Sequence, residues 1–102
     1  MYYVSVEVHP TRSKEYLHWL NTKHIADVVN SPWVLWGRKV ALEQKADDGW
    51  DVYLVVYAFS SKKEFLEYRN SDLFKSFAEE AKPFEGLFRL TRFWGQIDLV
   101  LG

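Results

Sequence analysis

Residues 50–59 have the sequence WDVYLVVYAF, and this stretch decides how the chain folds. Successive side chains of an extended strand point to opposite faces. One face then carries an aliphatic set, made up of Val52, Leu54, Val56 and Ala58. The opposite face carries a largely aromatic set, made up of Tyr53, Val55, Tyr57 and Phe59. Because both sets are apolar, the sequence predicts a strand that is buried on both sides.

Other extended segments surround this strand. An ADDG turn at residues 46–49 joins it in a hairpin to a strand at residues 33–44. Alternating apolar side chains predict a first strand at residues 2–9 and a last strand at residues 87–99. The sequence therefore predicts four strands in one sheet.

Two helical regions separate the strands. The first covers residues 14–30, where apolar side chains recur with helical spacing. The second begins at Ser61, which precedes a glutamate by three residues in a capping box, and Ser71 or Asp72 caps a further short helix. The order β-α-β-β-α-β is that of a ferredoxin-like α+β fold, a four-stranded antiparallel sheet with helices on one face. We expect residues 1–102 to form one such domain.

Composition limits the classes of function. Hydrophobic residues make up 48% of the chain, and the formal net charge is −1. A nearly balanced charge offers no positive field for nucleic acid or an anionic membrane, and no stretch approaches the roughly 18 apolar residues of a membrane span. There is no cysteine, which excludes disulfides and thiolate chemistry. Without a basic start followed by an apolar run, we expect a cytoplasmic protein with no nucleic-acid or membrane partner.

The apolar strand faces also predict a partner. A sheet with helices on one side normally shows a polar face to water, but the strand at residues 50–59 has no polar face. Each large apolar side chain left in water forgoes about 1.5–3 kcal/mol. Packing two copies face to face removes this cost, so we expect a homodimer formed through the sheet faces. The alternative is an open face on which the tyrosines direct their hydroxyls into water.

The helix at residues 14–30 carries the main candidate for chemistry. Its apolar face consists of Leu17, Leu20, Ile25 and Val28. His24 and Asn21 fall within the same arc, and Asp27 lies on its flank. Polar groups that face a core need partners or a wet cavity, so this pattern predicts a pocket. His24 is then a general base oriented by Asp27 at i+3, and Asn21 is a donor to an oxyanion. The alternatives are a core histidine with a solvated Asp27 and a structural amide.

Aromatic and cationic residues on the strands are candidates for substrate binding. Arg38 shares a predicted strand face with Trp36, and Arg92 shares one with Trp94. A guanidinium suits a substrate carboxylate or enolate, while Tyr57, Trp36 and Trp94 suit the wall of a cavity for a flat ligand. The alternative is an arginine that stacks on tryptophan and pairs with an acid. The histidines lack the spacing of a helical metal site, so we expect neither a metal nor another cofactor.

Several short motifs along the chain add a resemblance to a known superfamily. They are Trp19 followed by HIADV at residues 24–28, then Ser61, Phe65 and Tyr68, and finally Phe84 and Arg89 at the entry to the last strand. With its non-polar sheet faces, the chain resembles the dimeric α+β barrel superfamily of antibiotic-biosynthesis monooxygenases, stress-responsive A/B barrel proteins and small polyketide-type cyclases. The motifs are similar to those of a bacterial branch with no assigned activity, from which Ala26 departs because that pattern has proline there.

Three functions are compatible with these features. The resemblance implies a small cofactor-independent enzyme that abstracts a proton from an aromatic or polyketide-like molecule, as a monooxygenase, cyclase or isomerase. The same fold also serves as a non-catalytic small-molecule-binding or assembly module. RNA binding is disfavoured, because Gly49, Trp50 and Asp51 stand where an RNA-recognition motif has a basic-glycine start.

Overall fold

The computed structural model describes residues 1–102 and contains the predicted order of strands and helices. The strands are β1 (Tyr2–Val8), β2 (Val34–Ala41), β3 (Asp51–Phe59) and β4 (Phe88–Trp94). The helices are α1 (Lys14–Trp19), α2 (Ile25–Val29), α3 (Lys62–Arg69) and α4 (Asp72–Ala81). A π-helical turn at Leu20–His24 connects α1 to α2, and a 3-10 turn at Lys82–Phe84 follows α4.

The four strands form one antiparallel sheet in the order β2-β3-β1-β4. In the central strand, Val4 pairs with Val55 of β3 and with Arg92 of β4, so these three side chains lie on the same face. The helices cover that face and enclose the aromatic core. This topology confirms the predicted ferredoxin-like α+β fold.

The last strand is shorter than predicted and ends at Trp94. At this end of the sheet β4 pairs with the beginning of β1, where Tyr2 faces Trp94. The amide of Gly95 donates to the carbonyl of Met1 at 3.0 Å, one step beyond the last pair of β1 and β4, and no further ladder hydrogen bond follows it. Residues 96–99, which were predicted to continue the strand, therefore have no neighbouring strand here.

Helix caps form where polar residues precede the second helical region. The Ser61 hydroxyl accepts from the amide of Lys63 at 3.2 Å and donates to the Glu64 carboxylate, so Ser61 caps the helix and contacts Glu64 without the reciprocal backbone bonds of a full capping box. The Ser71 hydroxyl accepts from the amide of Phe74 at 3.1 Å. These caps satisfy amides that have no partner within the helix and so separate α3 from α4.

The two faces of the sheet differ in their burial. On the helix-covered face Val55 and Tyr57 of β3 are almost fully buried. The opposite face, which we call the open face, has no helix over it, and its exposed apolar side chains are Trp36, Val40, Leu42 and Phe93. No helix of the chain has both the length and the apolar character needed to cross a bilayer.

Candidate functional site

A cavity of about 310 Å³ lies between the helices and the helix-covered face of the sheet. The sheet contributes Tyr57 and Arg92, and the helices contribute Tyr16, Phe74 and Phe77. Most of the lining is aromatic or aliphatic, with a few polar groups among them. This combination is typical of sites for small organic molecules.

Four tyrosines provide much of the polar lining: Tyr2, Tyr16, Tyr57 and Tyr68. Burial raises the pKa of each phenol, so all four hydroxyls are protonated at neutral pH. Among the side-chain nitrogen and oxygen atoms that are buried from solvent, one has no hydrogen-bond partner. That atom is Nδ1 of His24, not a tyrosine oxygen. The hydroxyls of Tyr16, Tyr57 and Tyr68 lack protein partners, so they remain accessible to a ligand, and that of Tyr2 lies near the Arg92 guanidinium. The cavity therefore offers several neutral O–H groups to a ligand.

His24 lies on the cavity wall as the last residue of the π-helical turn. Its imidazole stacks on Trp19 with ring centroids 4.7 Å apart and meets the edge of Phe77 at 4.3 Å. Nδ1 is buried and has no hydrogen-bond partner, which leaves Nε2 as the nitrogen that can exchange a proton. Burial is the main reason that the pKa of His24 falls to about 4, so the ring is neutral at pH 7.

A chain of charged residues lies behind the His24 ring. The Glu80 carboxylate accepts from Nε1 of Trp19 at 3.3 Å and from Nζ of Lys23 at 2.8 Å. The same ammonium donates to Asp27 at 2.7 Å. The negative charges of Glu80 and Asp27 raise the pKa of His24 against the effect of burial, while Lys23 lowers it. Glu80 thus acts on the imidazole by its charge and also holds the indole on which the ring stacks.

The predicted hydrogen bond from Asp27 to His24 is not formed. Asp27 instead pairs with Lys23, four residues earlier on the same helical surface, while the imidazole turns inward between aromatic rings. Asn21 is exposed, and its Oδ1 accepts from Nζ of Lys39 at 2.7 Å. The prediction assumed one regular helix, whereas a π turn contains an extra residue and changes which side chains share a face.

The structure brings some predicted binding residues together and separates others. Tyr57 and Arg92 line the cavity with His24. Trp36 and Arg38 do not, because they pair with the open-face positions of β3; the Arg38 guanidinium carbon lies 4.9 Å from the Trp36 ring centroid. This agrees with the stacking in the predicted alternative but not with the acidic partner, since the Arg38 guanidinium donates to the carbonyl of Gly37 at 2.9 Å. The sequence places both residues on one face of β2, but it does not specify which face the helices cover.

Trp94 also lies outside this cavity. Its ring stacks on Phe65 with a centroid distance of 4.2 Å and an interplanar angle of 11°. It also meets the edge of Phe59, so it closes the aromatic core at the end of β4. The indole is therefore partly buried against these two rings and does not line the cavity that contains His24.

Several cavity residues were not among the candidates from the sequence. Tyr2, Tyr16 and Tyr68 each occupy an apolar position of their strand or helix, and a buried hydroxyl at such a position is a signal that a polar partner is needed. The sequence does not indicate the role of Glu80, because its contacts with Trp19 and Lys23 join segments that are far apart in the sequence.

The order of the elements and the topology of the sheet define the class of protein as ferredoxin-like α+β. A family model described as "Domain of unknown function (DUF4286)" matches residues 1–92, and the chain belongs to this family. No protein with a curated description matches the sequence.

Solved structures of diverse proteins share the fold. An ethyl tert-butyl ether d (ethd) family protein from Bacillus halodurans has a TM-score of 0.65 at 12% identity, over 93% of this chain and 97% of that one. A hydroxynitrile lyase from Passiflora edulis has a TM-score of 0.57 at 18% identity, over 90% of both chains. A dimeric ferredoxin-like protein of unknown function from Thermobifida fusca has a TM-score of 0.55 at 12% identity, over 91% of this chain and 90% of that one. At these identities the likeness concerns the fold and does not assign an activity.

The charged residues behind His24 allow a test by opposite substitutions. We expect Glu80→Gln to lower the pKa of His24 further, because it removes a negative charge, and Lys23→Gln to raise it, because it leaves two carboxylates uncompensated. The pKa is measured by NMR titration of the imidazole C–H signals. Lys63→Gln is the control, since Lys63 makes no side-chain hydrogen bond or ion pair. Equal titration curves for all three variants would contradict this account of the site.

Proposed function

We propose that this protein is a small cofactor-independent enzyme that removes a proton from an aromatic or polyketide-like molecule bound in the cavity. The observation that carries the proposal is the convergence of the His24 imidazole with unpaired tyrosine hydroxyls inside one largely apolar cavity. Apolar walls favour a flat ligand, and hydroxyl donors suit its carbonyl or phenol oxygens.

The proposed step is a proton transfer from a carbon or phenol of the ligand to Nε2 of His24. Because burial keeps the imidazole neutral, its lone pair is available at pH 7. The tyrosine hydroxyls and the Arg92 guanidinium then stabilise the oxyanion that forms as the proton leaves. The oxyanion that forms on the ligand beside the His24 ring stabilises the imidazolium. This stabilisation offsets the low pKa of His24 in the free protein.

The alternative function is a non-catalytic module that binds the same kind of molecule. Two observations favour it: no carboxylate orients the His24 ring, and a group with a pKa of about 4 is a weak base.

An observation on the side of the enzyme is that one protein with this fold is a hydroxynitrile lyase, so the scaffold supports enzymatic chemistry in that case.

We also propose that two copies of the chain associate through their open faces. Trp36, Val40 and Phe93 are between 37% and 53% exposed there, and a second copy packed on this face would cover these apolar side chains. The protein from Thermobifida fusca, which has the same fold, is described as dimeric. The cavity lies on the other side of the sheet, so this association leaves it accessible.

The enzymatic proposal predicts catalysed hydrogen exchange. With 2-tetralone as probe, a bicyclic aromatic ketone with an acidic C–H, we expect the protein in D₂O to accelerate deuterium incorporation next to the carbonyl. His24→Asn should reduce this acceleration by about 10²–10⁴-fold, the usual contribution of a general base. Proton NMR of the probe follows the exchange.

The control for this experiment is His18→Gln, which removes an exposed imidazole from the same helical region. It should exchange the probe as fast as wild type. If 2-tetralone shifts the resonances of Tyr16 and Phe77 but exchanges only at the buffer rate, the binding module is the correct function. If it neither binds nor exchanges, both functions are contradicted for this class of ligand.

A further inference from the structure

We propose that the ligand of the cavity carries a carboxylate apart from its reacting proton, and that the guanidiniums of Arg92 and Arg69 bind this carboxylate beside Phe74. This inference rests on the proposed function, because it takes the same cavity as the binding site. It adds a property of the ligand and a residue, Arg69, to the description of the site.

Two arginines from different elements meet at one aromatic ring of the cavity wall. The guanidinium carbon of Arg69, at the end of α3, lies 4.7 Å from the ring centroid of Phe74. That of Arg92, on β4, lies 5.9 Å from the same centroid. Phe74 and Arg92 line the cavity, and Arg69 lies just outside the lining, next to the Phe74 ring.

Neither guanidinium has a carboxylate within ion-pair distance. Arg89, by contrast, pairs with Glu7 at 2.9 Å and with Asp48 at 2.7 Å. Two like charges that flank one ring repel each other, and an anion placed between them removes that repulsion. The pair is therefore suited to a negatively charged group from outside the chain.

The other polar groups of the cavity leave this positive charge uncompensated. The phenols and His24 are neutral at pH 7, and the ammonium of Lys82 pairs with Glu79 at 2.9 Å. Glu85, at the rim, is the one carboxylate of the lining. Burial raises the pKa of Tyr2 and Tyr68, and the charges of both guanidiniums oppose this rise, so both hydroxyls lie near the two arginines. This end of the cavity consists of donors, as recognition of a carboxylate requires.

The geometry separates the bound charge from the proposed base. Phe74 stands beside the arginines and Phe77 beside His24, and these positions are one helical turn apart on α4. We therefore expect the charged group of the ligand and its reacting proton to lie on different atoms of the ligand.

The test compares an acid with its neutral amide. By isothermal titration calorimetry at pH 7, wild type should bind 1-naphthoate at least about tenfold more tightly than 1-naphthamide, the preference of a charge-assisted contact. Arg92→Gln and Arg69→Gln should each reduce this ratio, and Arg92→Lys should keep part of it. Arg38→Gln is the matched control, since Arg38 stacks on Trp36 across the sheet. The three arginines substituted in these four variants are exposed, and thermal unfolding of each variant verifies its fold.

The possible outcomes distinguish a failure of the inferred ligand charge from a failure of the inferred binding site in the cavity. Equal affinity of wild type for acid and amide, with amide-signal shifts at Tyr16 and Phe77, would overturn the charge inference while the cavity proposal stands. A preference for the acid that survives Arg92→Gln and Arg69→Gln would overturn the assignment to these two arginines. Failure of wild type to bind either compound would overturn the inference together with the proposed ligand class.

Discussion

Acidification from pH 6.5 to pH 4 is expected to lower the free energy of unfolding of wild type by on the order of 3 kcal/mol more than that of His24→Phe. The pKa of His24 is about 4 in the folded protein, against an ordinary value of 6.5. Between these values the unfolded chain binds a proton that the folded chain does not, so protonation favours the unfolded state. Stability contributed by neutral His24 is thus present above pH 6.5 and is lost as the pH falls towards 4.

Urea unfolding at pH 7, 5.5 and 4 measures this effect. The difference between wild type and His24→Phe cancels the titration of the carboxylates, and phenylalanine keeps a ring between Trp19 and Phe77. His18→Gln serves as control, because His18 is exposed, and it should follow wild type. Parallel curves for wild type and His24→Phe would show that the imidazole is not shielded from solvent as the structure indicates.

The second large effect concerns association. Phe93→Glu should weaken the proposed homodimer by about 10³-fold or more, because an unpaired buried carboxylate costs several kcal/mol and a symmetric interface contains the substitution twice. Phe93 is 53% exposed in the single chain and lies on the open face. The other face of the sheet is covered by helices, so a charge at this position does not disturb the core of the single chain.

Sedimentation velocity over a range of concentrations measures this change. Leu66→Glu is the matched control, since Leu66 is an exposed apolar residue of α3, away from the open face. We expect this variant to associate like wild type. A monomeric wild type would contradict the proposed homodimer, and a dimeric Phe93→Glu variant would place the interface elsewhere.

The order of strands and helices was predictable because it depends on neighbouring residues. Alternating side chains marked β1 and β3, and the caps at Ser61 and Ser71 marked the starts of α3 and α4. Such signals need no knowledge of the rest of the chain, since a strand or a cap forms from contacts a few residues apart. The length of β4 was overestimated, because it depends on where its partner β1 begins.

The candidate site could be predicted only in part. His24, Tyr57 and Arg92 were expected to act on a ligand, and they meet in one cavity. Trp36 and Arg38 showed the same mixture of aromatic and cationic character, but they belong to the opposite face. A period of two residues assigns side chains to two faces without saying which one the helices cover.

The sequence by itself determined a β-α-β-β-α-β chain with an apolar excess on its third strand and one imidazole on an inward arc of its first helical region. The tertiary structure alone decided the surroundings of that imidazole: the π turn that carries His24, the indole of Trp19 held by Glu80, and the tyrosine hydroxyls beside it. The physical reason is the separation along the chain of the residues that determine each feature. Local structure follows from side chains a few residues apart, whereas burial, and with it the pKa of His24, depends on elements that meet only after the chain has folded.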